Sequence, residues 1–488
     1  MNSKRSAVLV ALAAMFFLTS CSGTKNVCTT NCGQNGDATL SVTLAAVPFT
    51  PPPGTSILSF VVTINSISLT PSAGGSDVPI SLNSGSFSVD LTRLQSDASF
   101  LGVASAKIPA GTYNKVTVGI TGAVVTYCVA TSGTPGCKTG TVAQFTTGAG
   151  APVTSNFSLT LSSNQKAGLR VQINFANALT VNVGTQAVTA VSLNAANVIT
   201  TLSLPPSASI LPSGTLDYVD DVTGVVTAAS STSVTVQTAR QGTITATITS
   251  ATIGSPNCVI QNQPCSPTQG QIASLDATLN PDGTFTLLQF DPLSTKGADA
   301  IEGIVTTENT SSTQFQIVTN GFVQASSGSV LSGLSLGDIV NVTLSNSVQP
   351  FVIDSKGLPV VNTPFNGGTS ATDILPGQTV MLRVTGFTAK SGNTSASAQV
   401  DFVVLRFTRV AGTVSNPTGA IFNIGSLPLL FGQTGSSQVQ LSSGSPSTEL
   451  DGYASPGAIT SGDNVAIRAL FFGTGTVPGF SAAKVRKN

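Results

Sequence analysis

The chain has 488 residues and no net charge, and only 8% of its residues are charged, against about 25% in an ordinary globular protein. With no basic patch or stripe, nucleic-acid binding has no electrostatic basis. With no histidine anywhere, the commonest general base is missing as well.

The N-terminus reads in three parts. Lys4 and Arg5 give a small positive region, and the run from Ala7 to Leu18 is apolar and uncharged. That run is shorter than the about 20 residues a spanning helix needs, and it suits the hydrophobic region of a signal peptide. Leu18-Thr19-Ser20-Cys21 then resembles the lipobox of bacterial lipoproteins. The resemblance implies a signal peptide over residues 1–20, diacylglyceryl attachment to the Cys21 sulfur, cleavage before Cys21, and acylation of the new amino group by a fatty acid such as palmitate. Several chains anchor stably, because each buried methylene contributes about 0.8 kcal/mol. Ser22 follows the cysteine where an aspartate would mark retention, which resembles the pattern sent to the outer membrane.

Seven cysteines, an odd number, fit this reading. Without Cys21 they form three close pairs: Cys28 with Cys32, Cys128 with Cys137, and Cys258 with Cys265. In an exported chain such pairs suggest disulfides, each closing a short loop worth roughly 2–3 kcal/mol. Metal binding is the rival, and it lacks both histidine and a CxxC pair.

Residues 21–37 form a polar tether. From Ala38 the pattern is all-β. Leu40, Val42 and Leu44 alternate with Ser41 and Thr43, Val116, Val118 and Ile120 with Thr117 and Gly119, and Leu169, Val171, Ile173 and Phe175 with Arg170, Gln172 and Asn174. Such alternation marks strands with one face in a core and the other in water. A β-sandwich is expected over 38–201 and a Pro/Ser linker over 202–214, about which the chain would hinge.

Three small β-barrel modules follow, over 215–297, 298–405 and 406–488. Each opens on a repeated glycine step: Gly224-Val225-Val226, Gly303-Ile304-Val305 and Gly412-Thr413-Val414. A second step follows in each: Gly270-Gln271, Gly377-Gln378 and Gly462-Asp463. The middle spacing is the longest, so module 2 carries an insertion, and Gly337-Asp338 inside it repeats the second step. Turn glycines before hydrophobic strands are what a small closed barrel needs at its corners. Asn280-Pro281-Asp282-Gly283 between two apolar runs signals a hairpin. A transmembrane barrel would carry aromatic girdles, and this chain has no Trp and only four Tyr.

Phe60 to Pro71 (FVVTINSISLTP), Val89-Asp90-Leu91 and Pro109-Ala110-Gly111-Thr112-Tyr113 resemble a bacterial lipoprotein family known only as domain of unknown function 4382. The resemblance covers about a third of the chain. The family's late strand often carries an acidic residue where this chain has Asn174. The three C-terminal units resemble domain of unknown function 5666. Neither resemblance implies an activity. In the Pro109–Tyr113 turn, Pro109 fixes φ and Gly111 permits a positive φ, so the expected role is a structural corner with Tyr113 packed.

The densest acidic cluster is Asp217, Asp220 and Asp221, in DYVDDV. Three carboxylates could hold Ca²⁺, but the spacing is not that of an EF-hand loop, and the simpler reading is a solvated start to a strand. Ser163 and Lys166 have a Ser-x-x-Lys spacing in what reads as a turn. No phosphate-binding glycine loop opens a helix. The expectation is a non-catalytic protein without cofactor, lipid-anchored in the cell envelope and acting as a modular scaffold for envelope proteins. The alternative is a glycan-binding or adhesive array. Sugar platforms use exposed aromatics, and Tyr453, Phe471 and Phe472 are the local cluster to test; otherwise they fill the last barrel's core.

Overall fold

The computed structural model describes residues 36–487 apart from internal stretches, among them 48–55, 101–105, 130–140, 205–214 and 255–265. The described chain is all-β. Its N-terminal part is a two-sheet sandwich. In one sheet the Ala38–Ala46 strand lies parallel to Lys166–Ile173, which pairs in turn with Ile199–Leu204. The first residues of the expected linker, Leu202 to Leu204, therefore belong to this sheet. The other sheet is built on two long strands, Ile57–Pro71 and Gly111–Cys128, paired antiparallel. Leu40, Val42, Leu44, Val116, Val118, Ile120, Leu169 and Val171 enter one hydrophobic core between the sheets.

Two motifs take structural roles here. Asp90 is buried and accepts hydrogen bonds from the Phe60 amide (2.9 Å), the Ser59 hydroxyl (2.7 Å) and the Thr92 amide (3.0 Å), which pins its strand to the valine-rich one. The buried Tyr113 donates from its hydroxyl to the Pro109 carbonyl at 2.6 Å, closing the PAGTY corner on itself.

The C-terminal part is three closed barrels of one topology. The first uses Asp217–Ala229, Ser233–Gln237, Thr243–Thr247, Ile272–Leu279 and Phe285–Ser294, with the short Ile253–Gly254 at its side. The second uses Asp299–Val305, Gln314–Val323, Ile339–Leu344, Thr379–Thr388 and Ala396–Arg406. The third uses Thr408–Ser415, Ile421–Gly425, Ser437–Leu441, Asn464–Phe471 and Phe480–Lys487. In each, the five long strands run in the order 1-2-3-5-4-1, and strands 3 and 5 close the barrel in parallel. This is the five-stranded Greek-key connectivity of the OB-fold.

The repeated glycines explain the repetition. A Cβ on Gly224, Gly303 or Gly412 would press into the carbonyl oxygen of Gln237, Val318 or Gly425 on the neighbouring strand. Gly270, Gly377 and Gly462 have φ of 92°, 88° and 93°. Each donates its amide to the opening strand, at Val226, Val305 and Val414 respectively, within 2.7–2.9 Å. Gly283, with φ of 81°, closes the Asn280 hairpin as expected.

The described barrels and sandwich do not hang as a hinged string. Asp37–Asn488 form one compact unit. Ser41 and Thr43, expected to face water, are fully buried, because the first barrel covers that face of the sandwich: Thr43 donates to Asp217 at 2.7 Å. On the second barrel, the Gly337 carbonyl accepts from Thr126 (2.9 Å) and Gln144 (2.7 Å) of the sandwich. On the third, Arg486 reaches the Gln95 carbonyl at 3.3 Å.

Candidate functional site

The three aspartates of the first barrel's opening strand are the core of the site. Against the Ile272–Leu279 strand the register slips between Val219 and Val222, a bulge at which Asp221 takes a φ of 56°. Bulges of this kind re-aim side chains. Here the bulge turns the strand's carboxylates toward different neighbours. Asp217, Asp220 and Asp221 are 0%, 8% and 2% exposed, so the expected solvated strand start is corrected to a buried one.

Buried charge is tolerated only when paired and hydrogen-bonded, and each aspartate has its own cations. Asp217 takes the Arg170 guanidinium of the sandwich at both oxygens. Asp220 pairs with Lys484 of the third barrel at 2.8 Å. Asp221 meets Arg406 at 2.6 Å, Arg409 at 2.7 Å and Lys356 at 3.2 Å, and accepts from Ser274 at 2.8 Å. Burial pushes the Asp221 carboxyl up, but Arg406, Lys356 and Arg409 outweigh it and hold it well below the usual carboxylate range. The three carboxylates thus diverge to separate partners. Among the described residues no group of three metal-ligating side chains comes together.

The network spreads from there. Arg406, wholly buried at the end of the second barrel's last strand, also meets Glu302 at 3.3 Å and Asp354. Glu302 meets Arg93 of the sandwich at 3.0 Å. Lys356, 3% exposed and with φ of 45°, meets Asp276 at 2.8 Å and Asp291 at 3.6 Å. Burial, reinforced by Asp354, pushes the Asp291 carboxyl up to about 7. Carboxylates from the first and second barrels and cations from the second barrel, the third and the sandwich therefore share one ionic centre.

The centre reaches solvent in a cleft of about 590 Å³ between the first and third barrels, lined by Tyr218, Asp276, Gln289, Lys356, Glu449 and Arg468 among others. Glu449 sits 3.0 Å from Lys484. Burial pushes its carboxyl up to about 7 against that ammonium, with Asp220 adding to the shift.

Tyr453, Phe471 and Phe472 do not form an exposed shelf; they are 4%, 2% and 2% exposed. Phe471 stacks within the third barrel, 4.8 Å from the Phe480 ring and 5.2 Å from that of Phe431. Phe472 is packed into the second barrel's core. Tyr453 donates to Asp463 at 2.9 Å, under the Lys487 ammonium. Ser163 and Lys166 flank a turn in which Asn164 has φ of 60°. Cys128 is buried at the end of its strand. Cys21, Cys28, Cys32, Cys137, Cys258 and Cys265 lie outside the described residues.

Arg406, Arg409, Lys356 and Glu302 escape a motif search. Arg406, Arg409 and Glu302 do carry a signal: in a chain so poor in charge, an ionic residue within a largely apolar run, as in VVLRFTRV and DAIEGIV, marks a buried partner, whereas Lys356, in IDSKGL, carries none.

A family model described as domain of unknown function (DUF4382) matches residues 37–205, the sandwich. No curated protein and no solved structure matches the chain.

Proposed function

We propose that this chain is a non-catalytic lipoprotein of the bacterial cell envelope, tethered through acylated Cys21 at the outer membrane and acting by contact with other envelope components. The lipobox at Leu18–Cys21 and the short apolar run before it support the anchor. Local disulfides at Cys28–Cys32, Cys128–Cys137 and Cys258–Cys265 suit an exported protein.

One observation carries the contact reading: among the described residues, the densest grouping of charge is spent inside. The carboxylates and cations that could have served chemistry are engaged with one another at the ionic centre. On the first barrel an outer face is built of neutral side chains, with Ser233, Thr235 and Gln237 across from Thr247, Thr245 and Thr243. A four-part body tied by its own charges presents such faces at fixed spacing.

The second reading, glycan binding, is favoured by the barrels' connectivity alone, since OB-type barrels use strands 2 and 3 as a ligand face. Cell fractionation and crosslinking decide between them. The wild type is expected in the membrane fraction with protein partners, and Cys21→Ala is expected in the soluble fraction. Mass spectrometry showing an unmodified Cys21 in the mature protein would overturn the anchor, and glycan-array binding without protein partners would favour the second reading.

A further inference from the structure

The cleft between the first and third barrels has about 590 Å³ of room, on the scale of small-molecule sites. Leu288, Leu358, Pro446 and Leu450 give it apolar walls, and Glu449, Gln289 and the half-buried Tyr218 give it polar ones. The cations beside it are shared among carboxyls. Lys484 meets both Asp220, at 2.8 Å, and Glu449, at 3.0 Å. Arg468 lies 3.8 Å from Asp220 and 3.7 Å from Asp276. Lys356 meets Asp276, Asp221 and Asp291. Glu449, dividing its nearest cation with Asp220, is left short of positive charge.

Glu449 is also the carboxyl that the cleft can reach. Its side chain is 22% exposed, against 3% for Asp220 and 1% for Asp291. Asp276 lines the cleft too, but its oxygens already meet the Asp221 amide and Lys356. Glu449 Oε1 is closed in against Lys484, so the open oxygen is Oε2. Gln289 adds a second acceptor: its Nε2 donates to Asp291 at 3.1 Å, which leaves Oε1 for the cleft. The positive groups are not on offer in the same way. Lys356 is held by three carboxylates, and Arg468 Nε and Nη1 have no open surface. A bare metal ion would need several ligands that converge, and among the described residues no group of three does so. An ammonium group is what an undercompensated carboxylate receives best, and the apolar walls suit a hydrocarbon body.

We propose that this cleft binds a small organic cation, a primary ammonium ion on a short apolar body, with its charge on Glu449 Oε2 and Gln289 Oε1 as a further acceptor in the same cleft. The site is distinct from the outer contact faces and does not depend on how the chain is anchored. Glu449 is faced by Lys484 and Arg468 of the third barrel, by Asp220 and Tyr218 of the first, and by Arg170 of the sandwich. Burial pushes its carboxyl up to about 7. A proton therefore competes with the ligand below neutrality, and affinity rises with pH as the carboxylate ionises.

Saturation-transfer NMR on the full mature chain tests it, with hexylammonium as probe and three controls of the same chain length. Hexanol removes the charge, hexanoate reverses it, and hexyltrimethylammonium keeps it without an N–H donor. At pH 8 hexylammonium is expected to bind roughly tenfold or more tightly than each control, and roughly tenfold or more tightly than it does at pH 5. Glu449→Gln is expected to abolish both differences. Absence of transfer to hexylammonium in the wild type at pH 8, any control bound as tightly, equal affinity at the two pH values, or a preference that survives Glu449→Gln would overturn the proposal. The comparison of probes and pH on the wild type decides even where the variant fails to fold.

Discussion

Asp221 and Lys356 meet at 3.2 Å in the interior, one from the first barrel and one from the second, and both lie in the left-handed backbone region, with φ of 56° and 45°. Neither is a glycine, so each such conformation costs of the order of 1–3 kcal/mol and persists only where its surroundings dictate it. Here the surroundings are ionic. Asp221 also holds Arg406 and Arg409, and Lys356 also holds Asp276 and Asp291. Two strained residues are thus kept in place by charges drawn from different modules.

Removing one member should therefore cost more than the pair is worth. Lys356→Met leaves Asp221, Asp276 and Asp291 buried with fewer cations, and is expected to lower stability by about 3–5 kcal/mol, read as a lower urea midpoint. Adding Asp276→Asn should return part of that loss, because the carboxylate that Lys356 meets at 2.8 Å is gone. A double variant no more stable than Lys356→Met alone would show that the two do not act on each other.

Stability should fall as pH rises through neutrality. The Asp291 and Glu449 carboxyls, pushed up to about 7, hold protons that an unfolded chain releases at its ordinary carboxylate values of 3.8 and 4.5. Their contribution is complete below those unfolded values and is lost as pH climbs toward 7. Asp221, held well below 3.8, acts in the opposite sense: its contribution is present above 3.8 and is lost on acidification beneath it. The urea midpoint is expected to peak between about pH 4 and 5 and to decline by pH 8. The combined variant Asp291→Asn, Glu449→Gln should flatten the decline. A midpoint that rises from pH 5 to pH 8 would contradict the assignment.

The repeated glycine of the barrels is a packing requirement. A Cβ on Gly303 would lie 2.6 Å from the Val318 carbonyl oxygen, in backbone that cannot give way without opening the strand pair. Gly303→Ala is expected to destabilise by about 1–3 kcal/mol, with Gly224→Ala and Gly412→Ala behaving alike in thermal melts. Gly419→Ala is a control for positive φ without crowding: φ is 79° and nothing lies within 4 Å of its Cβ position. Its loss should be smaller.

Much of the fold was legible in the sequence. Alternation placed the sandwich strands, the paired glycine steps placed three like barrels, and Asn280–Gly283 placed a hairpin. Alternation also led to one wrong expectation. It shows that Ser41, Thr43 and Arg170 share a face, and cannot show that another module covers that face. Asp217, Asp220 and Asp221 looked solvated for the same reason. Their partners Lys356, Arg406, Arg409 and Lys484 lie far along the chain, and no local spacing encodes them. Tyr453, Phe471 and Phe472 looked like a surface cluster because adjacent aromatics on a strand point to opposite sides; here one side is the third barrel's own core and the other is the second barrel's.

The central claim is that buried charge joins the sandwich and three barrels into one body, and calorimetric unfolding of the mature chain tests it most directly. The wild type is expected to melt in one cooperative transition whose calorimetric and van't Hoff enthalpies agree, and Arg406→Met, which strips the shared cation from Asp221, Glu302 and Asp354, is expected to split it into separate steps. Several independent transitions in the wild type, left unchanged by Arg406→Met, would contradict the account.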